Sequence, residues 1–335
     1  MKKQGRGMAT IMFGFGYGEG FPDHSIASVE IEEEGKILIK TAAADVGQGV
    51  LTVVTQIAAE VLKVKPETIR IIRGDTHLTK NSGSTSATRQ TFFTGNAVKE
   101  AAEGLLSNIY HYASIHFVTN HVDLDIKDGY IFRKDNTDNK LSYWELAKKI
   151  KAKGKNLKAE ASFFPHTDKP DQKNGQGEKL YVAYTFVTQI IDVSVDTDTG
   201  IIDVLHVYTA ADIGKAINPQ NAEGQIEGGT VQGIGMALME EQVIKEGITL
   251  NADLTGYLAP TSMDIPQFTT RFVENEDSDG PYGAKGIGEP ALIGTAPAIA
   301  NAVFNAIGVR IFDLPITPEK ILKALKALRE KKRKY

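Results

Sequence analysis

Glu289 is the only carboxylate in the run Gly283-Ala284-Lys285-Gly286-Ile287-Gly288-Glu289-Pro290, late in a chain of 335 residues. Three glycines within six positions let backbone come close to another group, and Gly286 and Gly288 are candidate positions for contact with a cofactor. Pro290 fixes its own φ and biases Glu289 toward extended backbone. The residues behind it, 291 to 307, are small, apolar and compatible with a helix. The pattern is a tight turn that holds one carboxylate above a helix N-terminus. Such a group serves as a general base when its surroundings raise its pKa, or simply as a helix cap.

Two other stretches carry polar chemistry. Asp45-Val46-Gly47-Gln48-Gly49 leads directly into residues 50–62, whose apolar positions recur at helical spacing. Free N–H groups and the positive end of the helix dipole would hold an anion there, with Gln48 able to donate and accept. The loop Gly74–Arg89 is rich in Ser and Thr. Ser86, Thr88 and Gln90 offer groups for a ligand of polyphosphate size, or form an ordinary surface turn. At the other end, Gly14, Gly16, Gly18 and Gly20 alternate with Phe13, Phe15 and Tyr17. Phe21-Pro22-Asp23 stands where a dinucleotide-binding helix would open, so no Rossmann turn is expected. The run reads as an irregular strand or as a pocket wall in which Phe13 and Phe15 suit a planar ring.

The elements around these residues alternate between β and α patterns. Ser25–Glu34 and Lys36–Ala43 read as a hairpin about Glu34-Gly35, residues 69–73 as a strand, and 95–117 as a helix. A second hairpin is expected at Asp128-Gly129 and a short helix over 144–150. Residues 180–195 and 201–210 form a further hairpin. A helix carrying Gly224, Gly228 and Gly229 runs from 221 to 241, its glycines packed against another helix or a cofactor. A last helix covers 318–334, with the basic run Lys331 to Lys334 solvating its end. The fold expected is α+β, in two mixed subdomains, 1–165 and 180–335, joined by the polar segment 165–179.

Composition narrows the chemistry. The chain is 41% hydrophobic and 24% charged, with net charge −4, so no nucleic-acid surface is expected. It has no cysteine, which excludes disulfides, cysteine-held zinc, iron–sulfur clusters and thiolate catalysis within it. The seven histidines are dispersed and form no metal-ligand spacing. No signal-peptide pattern and no membrane span is expected, hence a cytoplasmic protein. The initiator-like Met1 favours a natural separate subunit.

The ordered series ADVGQG, GDT, STSATRQT, GNAV, VDTDTG, AADIGKAINP, EGQIEGGTVQGIG and GAKGIGEP resembles the C-terminal half of molybdenum subunits in the xanthine dehydrogenase/aldehyde oxidase family. The resemblance spans nearly the whole chain, and its length looks most like the medium molybdopterin subunit of enzymes such as nicotinate dehydrogenase. It implies molybdopterin, as the cytosine dinucleotide, contacted by Gly47, Gln48 and Gly49, lined by Ser86, Ala87, Thr88 and Gln90, and hydrogen-bonded by Gln225. It implies Glu289 as the general base beside molybdenum, while a water-derived oxygen attacks an electron-poor carbon of a small N-heterocycle. An aldehyde or another aromatic is the alternative substrate, and a cofactor-free scaffold the non-enzymatic alternative. The family's upstream molybdenum motifs, cysteine-bound [2Fe–2S] clusters and FAD region are missing. A second, large molybdopterin subunit, an iron–sulfur subunit and an FAD subunit are therefore implied as partners.

Overall fold

The computed structural model describes residues 1–32 and 35–332; Glu33, Glu34 and residues 333–335 lie outside it. Half of the expected Glu34-Gly35 turn and the end of the basic tail thus fall outside the described residues.

In chain order the first elements are β1 (Lys2–Phe15), β2 (Ser25–Ile31), β3 (Ile37–Thr41), α1 (Val50–Leu62), β4 (Ile69–Arg73) and α2 (Gln90–Phe117). Next come β5 (Leu124–Lys127), β6 (Tyr130–Arg133), β7 (Asn136–Ser142), α3 (Tyr143–Lys151) and β8 (Lys158–Phe163). The later part holds β9 (Ala183–Asp196), β10 (Ile202–Asp212), α4 (Pro219–Leu238), β11 (Ile244–Lys245), β12 (Ile248–Thr249) and β13 (Gln267–Val273). It closes with α5 (Pro290–Ile293), α6 (Thr295–Ile307) and α7 (Pro318–Lys332).

Two compact units result. One contains Met1–Phe13, Tyr184–Asn275 and Ile287–Tyr335; the other contains Gly14–Ala183 and Glu276–Gly286. The division differs from a single break at 165–179 because β1 is the strand beside β9 in the sheet β1-β9-β10-β13. An N-terminal strand that completes a C-terminal sheet follows that sheet, whatever its place in the chain.

In the Gly14–Ala183 unit, β3 runs parallel to β4, with Ile37 opposite Ile69, and α1 is the crossover between them. β2 pairs antiparallel with β3 and with β8. Val54, Ala58 and Leu62 of α1 and Ala97, Ala101 and Leu105 of α2 share one core with Val29, Ile37 and Ile39 of the sheet. The 3.6-residue apolar spacing of α1 is thus the face that meets the sheet. Asp128 and Gly129 both take positive φ (51° and 75°), joining β5 to β6 in a tight hairpin.

In the other unit, β9 and β10 are antiparallel and β13 lies parallel to β10. Ile191, Val193 and Val207 of that sheet pack with Ala298, Ile299, Ala302 and Val303 of α6. The stretch Pro290–Ile307 has the length and apolar composition of a membrane span, contrary to expectation, yet it breaks at Gly294 and supplies this core. β1 crosses α6 so closely that a Cβ on Gly7 would collide with the Ala298 carbonyl and the Ala302 amide. Gly7→Ala is expected to cost roughly 1–3 kcal/mol, read as a lower urea midpoint; an unchanged midpoint would show that β1 does not seat there.

Candidate functional site

The segment 45–49 folds differently from the anion cradle expected. Asp45 turns its own carboxylate onto the start of α1: Oδ1 accepts from Gly47 N at 3.0 Å and Gly49 N at 3.3 Å, and Oδ2 from Leu51 N at 3.3 Å. Gln48 is folded back as well, its Oε1 accepting from Val46 N at 2.7 Å and its Nε2 donating to the Ala44 carbonyl at 3.1 Å. The expected free amides are therefore corrected at these positions, since an internal carboxylate already offsets the helix dipole. Asp45→Ala is expected to destabilise the unit by about 1 kcal/mol, seen in thermal unfolding; no change would mean that solvent replaces these bonds at no cost.

The polar loop is built around a buried arginine that sequence reasoning passed over. Arg89 is fully buried, and its Nη1 donates to the carbonyls of Ser82 (2.8 Å) and Ser84 (3.0 Å), its Nη2 to that of His24 (2.6 Å). Nη2 also lies 2.7 Å from Asp23 Oδ1, and the guanidinium covers the Phe93 ring at 4.5 Å. Asp23 Oδ2 in turn accepts from Tyr17 N at 3.0 Å. One cation thus ties the loop to the segment that follows β1. Between these anchors Ala87 and Thr88 both adopt positive φ (50° and 55°), an uncommon state for a β-branched threonine. Such backbone persists only where surrounding contacts over-determine it. Here Gly16 N donates to the Ala87 carbonyl at 2.9 Å, and Tyr17 Oη lies 2.9 Å from Ser86 Oγ. Gly286 is buried, and a Cβ on it would collide with the Thr88 carbonyl.

Gln90 opens α2, five residues earlier than periodicity indicated, and its Nε2 donates to the Ser84 carbonyl (3.1 Å) and Thr85 Oγ1 (2.9 Å). Thr85 Oγ1 donates to the Ala44 carbonyl at 2.7 Å. The structure therefore brings the expected Gly47–Gly49 and Ser86–Gln90 groups together in one unit. Phe15 corrects the pocket-wall expectation: it is fully buried and packs edge-on against Phe92, centroids 5.1 Å apart. A side chain without exposed surface is core. Phe13 is half-buried and belongs with the other unit.

Glu289, Gly288 and Gln225 lie in that other unit. Glu289 is helical (φ −62°, ψ −34°), not extended, and its carbonyl accepts from Leu292 N (3.0 Å) and Ile293 N (3.4 Å). Closing the α5 turn outweighs the steric preference of a residue before proline. Its side chain makes no capping bond to the helix, which removes the plain capping role, and the residue is exposed. Beneath it, fully buried Gln189 of β9 donates from Nε2 to Thr230 Oγ1 (2.9 Å) and to the Ala291 carbonyl (3.1 Å), and its Oε1 accepts from Thr295 Oγ1 (3.0 Å). That clamp holds α4, α5 and α6 together two residues from Glu289. The glycines of α4 divide accordingly. Gly229 meets Ala291, where a Cβ would come within 2.7 Å, whereas Gly224 and Gly228, flanking Gln225, face open space.

Residues 1–266 match the molybdopterin cofactor-binding domain family model. The chain belongs to this family. It is 32% identical to the 6-hydroxypseudooxynicotine dehydrogenase complex subunit gamma of Paenarthrobacter nicotinovorans, covering 99% of this chain and 41% of that one. It is 34% identical to a probable hypoxanthine oxidase of Escherichia coli, covering 97% and 32%. The solved aldehyde oxidoreductase from Desulfovibrio gigas superposes with TM-score 0.79 at 33% identity, again over 97% of this chain and 33% of its own. The mixed α/β fold is therefore that of the molybdenum oxidoreductases, and the chain spans less than half the length of these relatives.

The residues present suit a molybdopterin group in one respect and not in another. In one unit the backbone at Gly47, and in the other that at Gly224 and Gly228, has nothing within 4 Å of an added Cβ, so each leaves room for a group to approach, as Gly74 and Gly175 also do. The amides of Gly47, Gly49 and Leu51 are already engaged by Asp45 and are not donors in waiting for a phosphate.

Proposed function

We propose that this chain is the molybdopterin-binding catalytic subunit of a multi-subunit molybdenum hydroxylase acting on an N-heterocycle at an electron-poor ring carbon. The carrying observation is Glu289, an exposed carboxylate on a clamped helix turn that it does not cap. Its membership in the molybdopterin family supplies the context. The molybdenum cofactor, in its cytosine dinucleotide form, supplies the two-electron oxidation when bound. Glu289 accepts, on a carboxylate oxygen, the proton released as water-derived oxygen bonds to carbon. Gln225, beside Gly224 and one turn before Gly228, hydrogen-bonds the pterin. Ser86, Ala87 and Thr88, held in a fixed strained turn, line the cofactor.

Hypoxanthine, in the name of one relative, is a purine, which supports the heterocycle reading. The aldehyde oxidoreductase likeness supports an aldehyde as the second reading. In this reading the iron–sulfur clusters lie outside this sequence, which has no cysteine to ligate them, and FAD is carried by a further subunit. The complex is cytoplasmic in this reading. Metal analysis and nucleotide release on the complex isolated with this chain from its native host are expected to give molybdenum together with CMP. An intact complex without molybdenum would remove the catalytic reading, and a panel of purines, nicotinate and aldehydes then separates the two substrate classes.

A further inference from the structure

The segment between α4 and β13 does not look like a surface meant for water. Ile244, Ile248, Leu250, Leu254, Leu258 and Met263 are each 58% to 90% exposed within twenty residues. Apolar side chains scattered singly are ordinary, but a run this dense marks a contact surface. The segment is also held in shape. Asn251 accepts from Val243 N (2.9 Å) and donates to the Glu241 carbonyl (2.6 Å), Asp253 accepts from Thr255 N and Gly256 N (both 3.0 Å), and Asp264 accepts from Thr261 N (2.8 Å). Tyr257 Oη donates to Glu240 Oε2 at 2.6 Å. Local side-chain caps thus hold apolar groups outward in a fixed arm, which lowers the ordering cost of binding a partner.

The relatives indicate what covers it. They match this chain almost from end to end, yet the match takes up only 41% and 32% of their own lengths. In them the equivalent surface has the rest of a longer polypeptide available to bury it. We infer that residues 240–266 form a docking arm for a polypeptide equivalent to that unmatched remainder. This rests on the proposed function only in its expectation of a second molybdopterin-binding part. Glu240, Glu241, Glu246, Asp253 and Asp264 stand on the arm against a single Lys245, so the partner face carries basic residues around an apolar centre.

The test places a photo-crosslinking benzoylphenylalanine at Leu254 or at Met263 in the complex assembled in the native host, with exposed Lys153 of the other unit as control position. Adducts are expected from both arm positions, and not from Lys153, to a polypeptide whose peptides align with the part of the relatives that this chain does not match. Adducts to a second copy of this chain, or to an iron–sulfur or FAD polypeptide, would overturn the inference. So would the absence of adducts while the expected polypeptide is in the complex, or a complex that lacks it. The double variant Leu254→Lys/Met263→Lys is expected to lower co-purification of that polypeptide at least tenfold at unchanged abundance of this chain; retention within twofold counts against the arm. Molybdenum content of the same preparation reports separately on the proposed function, so either idea can fail without the other.

Discussion

Glu289→Gln is expected to lower turnover by roughly 10²–10⁴-fold, the range for loss of a positioned general base. The change is nearly isosteric and removes the carboxylate's charge together with its ability to take a proton. The residue is exposed, and its backbone carbonyl, not its side chain, forms the α5 turn. Folding and cofactor content, measured on the same preparation, are expected to match the wild-type complex. The Gln189 clamp on Ala291 is untouched, so the side chain stays where it was. The expected signature is an equal fall in kcat and kcat/KM, because the lost interaction belongs to the transition state. Full activity in a cofactor-loaded variant would end the assignment of Glu289 as base.

Arg89→Met is expected to destabilise its unit by about 3–5 kcal/mol, the cost of leaving one partner of a buried ion pair alone. Asp23 is buried and would lose its countercharge, while the carbonyls of Ser82, Ser84 and His24 would lose their donors. The transition should move down by about 10 °C or more. Adding Asp23→Asn should recover part of the loss, since the stranded charge is then gone and the two positions are in contact. A drop below about 1 kcal/mol would mean that Gly16, Tyr17 and Gly286 hold the Ala87–Thr88 turn without the ion pair.

Periodic apolar spacing was enough to define α1 as Val50–Leu62, whose Val54, Ala58 and Leu62 are buried on one face, and β4 as Ile69–Arg73, whose Ile69 and Ile71 pack half-buried against the same core. Likewise the ordered motifs identified the family, since each is a run of neighbours whose identities survive in the one-dimensional chain. Contacts between distant residues were not legible. Arg89 and Asp23 are separated by 66 positions (89 − 23), and nothing about an arginine in a Ser/Thr loop names its partner. The start of α2 lay in polar Gln90 and Thr91, where burial under tertiary contacts, not periodicity, extends the helix. Phe15 carried the same composition as a pocket wall, and only Phe92 beside it makes it core. Asp45 was read as part of an anion cradle, yet its own carboxylate is the anion that arrives first. Sequence thus determined the elements and the chemistry on offer, whereas tertiary structure decided which polar groups remain available, because hydrogen bonds and buried charges are settled by whichever partner folding brings within reach.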